Sequence, residues 1–196
     1  MRMIFELSSY FKLLFEKYKN IKYKNMSCLI SEGLNQRVCK TSLGGIGKLY
    51  ITNKSDIAGF TDTTLDDGII NDIIFNVPLT DGFYEFQIDK NSSNATCVQA
   101  GSNNKYFAHT VDFFVTGEYA EMAKVNHYLR LGEFVAIVEM LDGTKILYGK
   151  SNGLMSTVTE LNTGTASDDK SALHITLAGD QIVVAEKYVG PVVMAA

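Results

Sequence analysis

The side chains best suited to chemistry in this chain are three histidines, three cysteines and two pairs of adjacent acids. His109, His127 and His174 could serve as general bases or metal ligands. His109 and His174 fall in strand-like stretches, however, and His127 falls on a helix-like one. His109 shares a face with Phe107 and Phe113, which marks it as a hydrogen-bonded core histidine. Cys28, Cys39 and Cys97 form no C-x-x-C pair and stand far in sequence from the histidines, so zinc-ligand spacing is missing. An odd cysteine count without a secretory signal is expected of reduced thiols in a cytosolic setting. Asp66-Asp67 and Asp168-Asp169 have the character of turn-forming, solvated acids. A carboxylate pair for sugar hydrolysis would need aromatic platforms, and the chain has no tryptophan. The glycine-rich run Gly44-Gly45-Ile46-Gly47-Lys48 invites a phosphate-loop reading, which fails on spacing. Ser42 stands where the first glycine belongs, and Leu49 stands where a magnesium-binding Ser or Thr is needed. No H-E-x-x-H or EF-hand loop occurs. The expectation is a protein that is not an enzyme, with no catalytic, cofactor-binding or metal residue and no cofactor.

The elements that carry these residues centre on Lys105–Lys150. Phe107, His109, Val111, Phe113 and Val115 alternate with Tyr106, Ala108, Thr110, Asp112 and Phe114, giving a strand with one apolar face. A helix over about 117–131 follows, with Thr116 as its cap, Met122, Val125 and Leu129 on one side, and Gly132 at a left-handed C-terminal position. Phe134–Leu141 and Thr144–Lys150 then form a hairpin across Asp142-Gly143, read as a two-residue type I′ turn. Phe134–Leu141 is apolar on both faces, so it must be covered twice, by the core and by a second layer such as a neighbouring subunit.

Before this unit, Lys48–Thr52 and Ile69–Phe75 are strands, with Asn53–Asp67 a polar loop between them. Phe83–Asp89 and Ala95–Ala100 follow as a hairpin. After it, Ser151–Leu154 and Ser156–Leu161 lead to a polar run, Asn162–Ser171, and Ala172–Ala178 and Gln181–Val189 are strands, with Gly179-Asp180 a turn. About ten short strands and one internal helix predict a mainly β fold, an antiparallel barrel or sandwich with one flanking helix, which closes off strand edges.

The 196 residues suffice for one domain, 26–196, and a short extension. Residues 1–25 carry six basic against two acidic side chains, a balance of +4, which leaves −8 for the remainder of a chain of net charge −4. An acidic body disfavours gripping nucleic acid through its phosphates. It does not disfavour a surface that DNA slides past. Ile4, Leu7, Phe11, Leu14, Tyr18 and Ile21 recur at helical steps, so 1–25 reads as a basic helical extension. It is too short and too charged to span a bilayer. Three origins stand open for it: translated sequence upstream of a start at Met26, an arm that docks on a partner, or a segment lying on a membrane surface.

From Met26 to about Tyr188 the chain resembles tail-tube or tail-completion proteins of tailed phages that infect Bacteroidetes-type bacteria. The resemblance is carried by Met26-Ser27-Cys28, Cys39-Lys40, and Gly44-Gly45-Ile46 before Leu49-Tyr50-Ile51. It continues through the strand–helix–hairpin unit, Asn162-Thr163-Gly164-Thr165-Ala166, Asp169, Ser171 and Ile175-Thr176-Leu177-Ala178-Gly179. It implies a β-barrel with one flanking helix, a fold shared with the inner tube of type VI secretion. It implies a hexameric ring of identical subunits, stacked into a tube that joins other tail and neck proteins. DNA passes through the lumen without specific binding. The protein would be assembled in the bacterial cytoplasm, reside in the virion tail, and require no membrane. Asn53–Asp67 and a Glu85–Asn104 hairpin are then candidates for contacts between rings. Two other readings stand beside this one. A neck, adaptor or terminator protein would form one ring only. A tail-surface glycan-binding module would cluster Tyr84, Tyr106 and Tyr148 in one groove.

Overall fold

The computed structural model describes residues 45–62, 68–88, 92–102, 105–162 and 172–196. All of these lie within one compact unit, Thr41–Ala196. The 1–25 extension, Cys28, Cys39 and both aspartate pairs lie outside the described residues.

Eleven strands and one α-helix are present among the described residues. The strands are β1 (Ile46–Asn53), β2 (Ile57–Asp62), β3 (Ile69–Phe75), β4 (Tyr84–Phe86), β5 (Asn94–Ala100) and β6 (Tyr106–Val115). After helix α1 (Tyr119–Leu129) come β7 (Phe134–Met140), β8 (Lys145–Tyr148), β9 (Met155–Asn162), β10 (Ala172–Gln181) and β11 (Glu186–Tyr188). They form a large sheet of order β2-β3-β11-β8-β7-β1-β4 and a small sheet of order β5-β6-β10-β9. The fold is mainly β and sandwich-like, and neither sheet closes into a barrel.

The main core lies between the sheets. Leu49 and Ile51 of β1 and Ala136 and Val138 of β7 pack with Val111 and Phe113 of β6 and Leu173, Ile175 and Leu177 of β10. Met122 and Leu129 of α1 enter the same core. The expected double coverage of β7 is present, and its source is internal. Val135 and Ile137, on the opposite face, join a second core with Tyr50, Ile70, Ile73, Phe75, Phe83 and Tyr188. The chain's own β3 and its segment around Phe83 supply the second layer, so this strand makes no demand for a neighbouring subunit.

Several local expectations are corrected. The stretch read as a polar loop contains a 3-10 turn (Lys54–Asp56) and β2, which pairs with β3 through two register shifts. Gly59 and those bulges disguised the strand. Phe83–Ala100 is not a hairpin: β4 pairs with β1 in the large sheet, and β5 pairs with β6 in the small one. The β7–β8 connection is a three-residue loop. Met140 N–H donates to Thr144 O at 2.8 Å, and Gly143 alone takes positive φ (81°), as in a type I turn followed by a left-handed residue. Helix α1 starts later than Thr116 predicts, with Glu118 at its N-cap and no side-chain capping bond. Gly132 has no positive φ, and its need for glycine is steric, because a Cβ there would lie 2.3 Å from the Phe134 ring. Gly179-Asp180 is not a turn, since β10 runs through both residues to Gln181.

Candidate functional site

The small sheet is the element whose composition stands apart. Its inner face holds Val111, Phe113, Leu173, Ile175 and Leu177, each fully buried. Strict alternation then directs Thr110, Asp112, Phe114, Ala172, His174, Thr176 and Ala178 to the outer face. Register completes the rows. Phe114, His174 and Glu160 lie side by side across three strands, and Asn94, Asp112, Thr176 and Val158 form the next row across four. None of the four strands contains a lysine or arginine, although the chain has 18 such residues. The charged side chains of the four strands other than histidine are Asp112, Glu160 and Asp180, all acidic.

A polar cluster occupies the middle of this face. His174 Nε2–H donates to Asp112 Oδ1 at 2.6 Å, and Thr176 Oγ1–H donates to the same oxygen at 2.8 Å. The Phe114 ring stacks flat on the His174 imidazole, 4.3 Å between centroids and 6° between planes. A depression of about 410 Å³ adjoins it, lined by Ser92, Glu160, Asn162 and His174 among others. An aspartate–histidine pair supplies two of the three members of a nucleophilic triad. Here the neighbouring hydroxyl, Thr176, donates to the carboxylate and is not presented to the imidazole. The cluster therefore works as a brace across β6 and β10.

His109 sits on the inner face, 1% exposed. Gly149 N–H donates to its Nδ1 at 3.3 Å, and the Tyr148 ring meets it edge-on. Nε2 reaches toward the Val183 backbone without a well-formed bond. Burial pushes the His109 pKa below the usual histidine range, and the Val183 backbone partly opposes that. The core role expected of His109 is what its surroundings supply. Burial, with the Cys97 thiol adding to it, pushes the Tyr148 hydroxyl up to about 12. His127 lies near the C-terminal end of α1 beside Tyr128. The three histidines are thus dispersed. Among the described residues no cluster of His, Cys, Asp and Glu could hold a metal ion. No helix among them is long and apolar enough to cross a membrane. The tyrosines of the glycan reading do not share a face: Tyr148 is buried, Tyr84 is on β4 of the large sheet, and Tyr106 begins β6.

The edges of the two sheets differ. β4, at one edge of the large sheet, has three residues including Glu85. β2, at the other, is broken by two register shifts and ends at Asp62. Short, bulged and charged edges resist pairing with other chains. In the small sheet, β5 has no charge, no proline and an unbroken register. β9 has one charge, Glu160, and one bulge at Thr157, leaving a regular run over Val158–Asn162. Neither pairs with a further strand among the described residues.

Sequence reasoning missed the Asp112–His174 pair and the cation-free face. Parity placed both residues opposite the apolar face, but only the β6–β10 register makes them neighbours. Comparison with protein-family models, with curated proteins and with solved structures finds no match to this chain.

Proposed function

We propose that this protein is a ring-forming subunit of a phage tail tube, a structural conduit through which DNA leaves the virion. The observation that carries the reading is the small sheet: two edge strands that pair with no further strand among the described residues, flanking a face without lysine or arginine. Its strands alternate in direction, and there are four of them. When β9 of one copy meets β5 of the next under rotational symmetry, the junction is antiparallel as well. A head-to-tail contact of this kind closes into a ring. Six copies bring about two dozen strands, which at about 4.8 Å each give a circumference of at least about 115 Å and a backbone diameter near 37 Å. The face turned inward would carry Ala, Thr and Asn with a few carboxylates around the Phe114–His174 stack. The acidic side chains would repel phosphate rather than bind it. Contacts between rings would then fall to loops outside the small sheet, and removing Asn53–Asp67 is no clean test of them, because it would delete β2.

The test is negative-stain microscopy and native mass of the full chain beside Val158→Lys. Val158 is 43% exposed on β9, so a lysine there puts charge on the edge without entering the core. Rings or tubes from the native chain, and folded monomers from the variant, are expected. A native chain that stays monomeric at every concentration would overturn the reading. Single rings that never stack would favour the neck or adaptor role.

A further inference from the structure

The two flanks of the sandwich differ in a way that names a second contact. On one flank, α1 packs against β9 and β10. A cavity of about 490 Å³ lies between α1 and the β1–β4 edge, walled by Ile51, Phe86, Val125, Leu129 and Phe134. Tyr84 and Tyr128 stand at it 54% and 63% exposed. This is an apolar hollow with aromatic rims, and such a surface is usually covered.

On the other flank, the connection from β10 to β11 runs beside β5. Ala185 N–H donates to Cys97 Sγ at 3.4 Å, which fixes the loop to that strand. Just before it, Ile182 is 75% exposed and Val184 49%. Knob and hollow are also at the same end of the small sheet. β10 ends at Gln181, opposite Phe107, which in turn faces Gln99 of β5. Phe134, which walls the cavity, bridges to Leu154 just before β9 begins at Met155, and Met155 pairs with Ala178. Three residues of strand separate the two heights, about 10 Å.

We propose that the occupant of the cavity is a second copy of this chain: the Ile182–Val184 loop of one copy seats between α1 and β4 of the next. The inference rests on the head-to-tail ring proposed above and names a second, apolar contact in the same interface. Edge pairing of β9 with the neighbour's β5 sets these two flanks against each other. The apolar seat would supply burial that strand-edge hydrogen bonds alone lack.

Three variants of the full chain test it. Ile182→Asp with Val184→Asp removes the knob at exposed positions, so circular dichroism and the urea midpoint should match the native chain. Rings should be lost at concentrations where the native chain is fully assembled. Val158→Lys probes the strand edge alone. Val184→Cys with Tyr128→Cys, with the three native cysteines replaced by serine, should give disulfide-linked oligomers that neither single cysteine variant gives. If the aspartate variant assembles normally while Val158→Lys does not, the edge contact stands and the seat is overturned. If Val158→Lys also assembles normally, the edge reading itself falls. A small apolar molecule retained by the monomer in native mass would assign the cavity to a ligand and overturn the proposal.

Discussion

Gln181 holds the loop between β8 and β9 by three hydrogen bonds while itself only 1% exposed. Its Oε1 accepts from the amides of Ser151 and Asn152 at 2.9 and 3.0 Å, and its Nε2 donates to the Gly153 carbonyl at 2.7 Å. Gln181→Leu keeps the bulk and removes all three bonds. The amides of Ser151 and Asn152 lie near the surface and can recover water, so each loss should cost about 1 kcal/mol. The Gly153 carbonyl is buried and recovers nothing, which adds about 1–3 kcal/mol. The sum is about 3–5 kcal/mol, a large share of the roughly 5–15 kcal/mol typical of a domain. Urea denaturation should register it, with a melting temperature lowered by about 10 °C. Gln181→Glu sharpens the test, because a carboxylate still accepts from both amides but cannot donate to Gly153 until it is protonated. Burial would raise the pKa of that carboxylate above its unfolded value near 4.3, so the folded state would hold a proton that the unfolded state has lost. The variant should therefore gain stability as pH falls from 7 toward 4.3, relative to the native chain. A Gln181→Leu protein within about 1 kcal/mol of native, or a Gln181→Glu profile parallel to native, would refute the reasoning.

Two other outcomes follow from single residues. His109 is held below the usual histidine pKa by burial. The unfolded state therefore takes up a proton first as pH drops, and stability present above about 6.5 should be lost progressively below it. His109→Gln, whose side-chain carbonyl can accept from Gly149, should flatten that decline in urea midpoints measured between pH 7.5 and 5.5. Leu79 is the one non-glycine among the described residues with positive φ, at 149°, and it is 94% exposed. Leu79→Gly should relieve strain at little packing cost and, after the added unfolded-state entropy, stabilise by about 0.5–1 kcal/mol, whereas Leu79→Ala should not.

The strands of the small sheet were legible because each has one face against the core and so alternates with period two. Lys105–Val115 and Ala172–Ala178 state their inner faces residue by residue, and β7 declares by its unbroken apolar run that it lies in the middle layer. The helix was legible from Met122, Val125 and Leu129, although its start was not. Thr116 is a good capping type, but backbone geometry sets the first turn at Tyr119. β2 escaped because a glycine and two bulges erase the alternation on which strand reading depends.

What covers β7 was decided only by tertiary structure. A doubly apolar strand is equally satisfied by a neighbouring subunit or by a second layer of its own chain, and here β3 and Phe83 provide the layer. The same holds for the outer face of the small sheet. Periodicity says which residues point away from the core, but cross-strand neighbours such as Asp112 and His174 lie 62 positions apart in the chain. Their meeting depends on register, and register is fixed by which apolar faces interlock across the whole sheet. Sequence alone established a mainly β chain with one helix and an acidic body. The absence of lysine and arginine from one particular sheet, and the identity of its two edge strands, came into being only when the strands were sorted into two sheets.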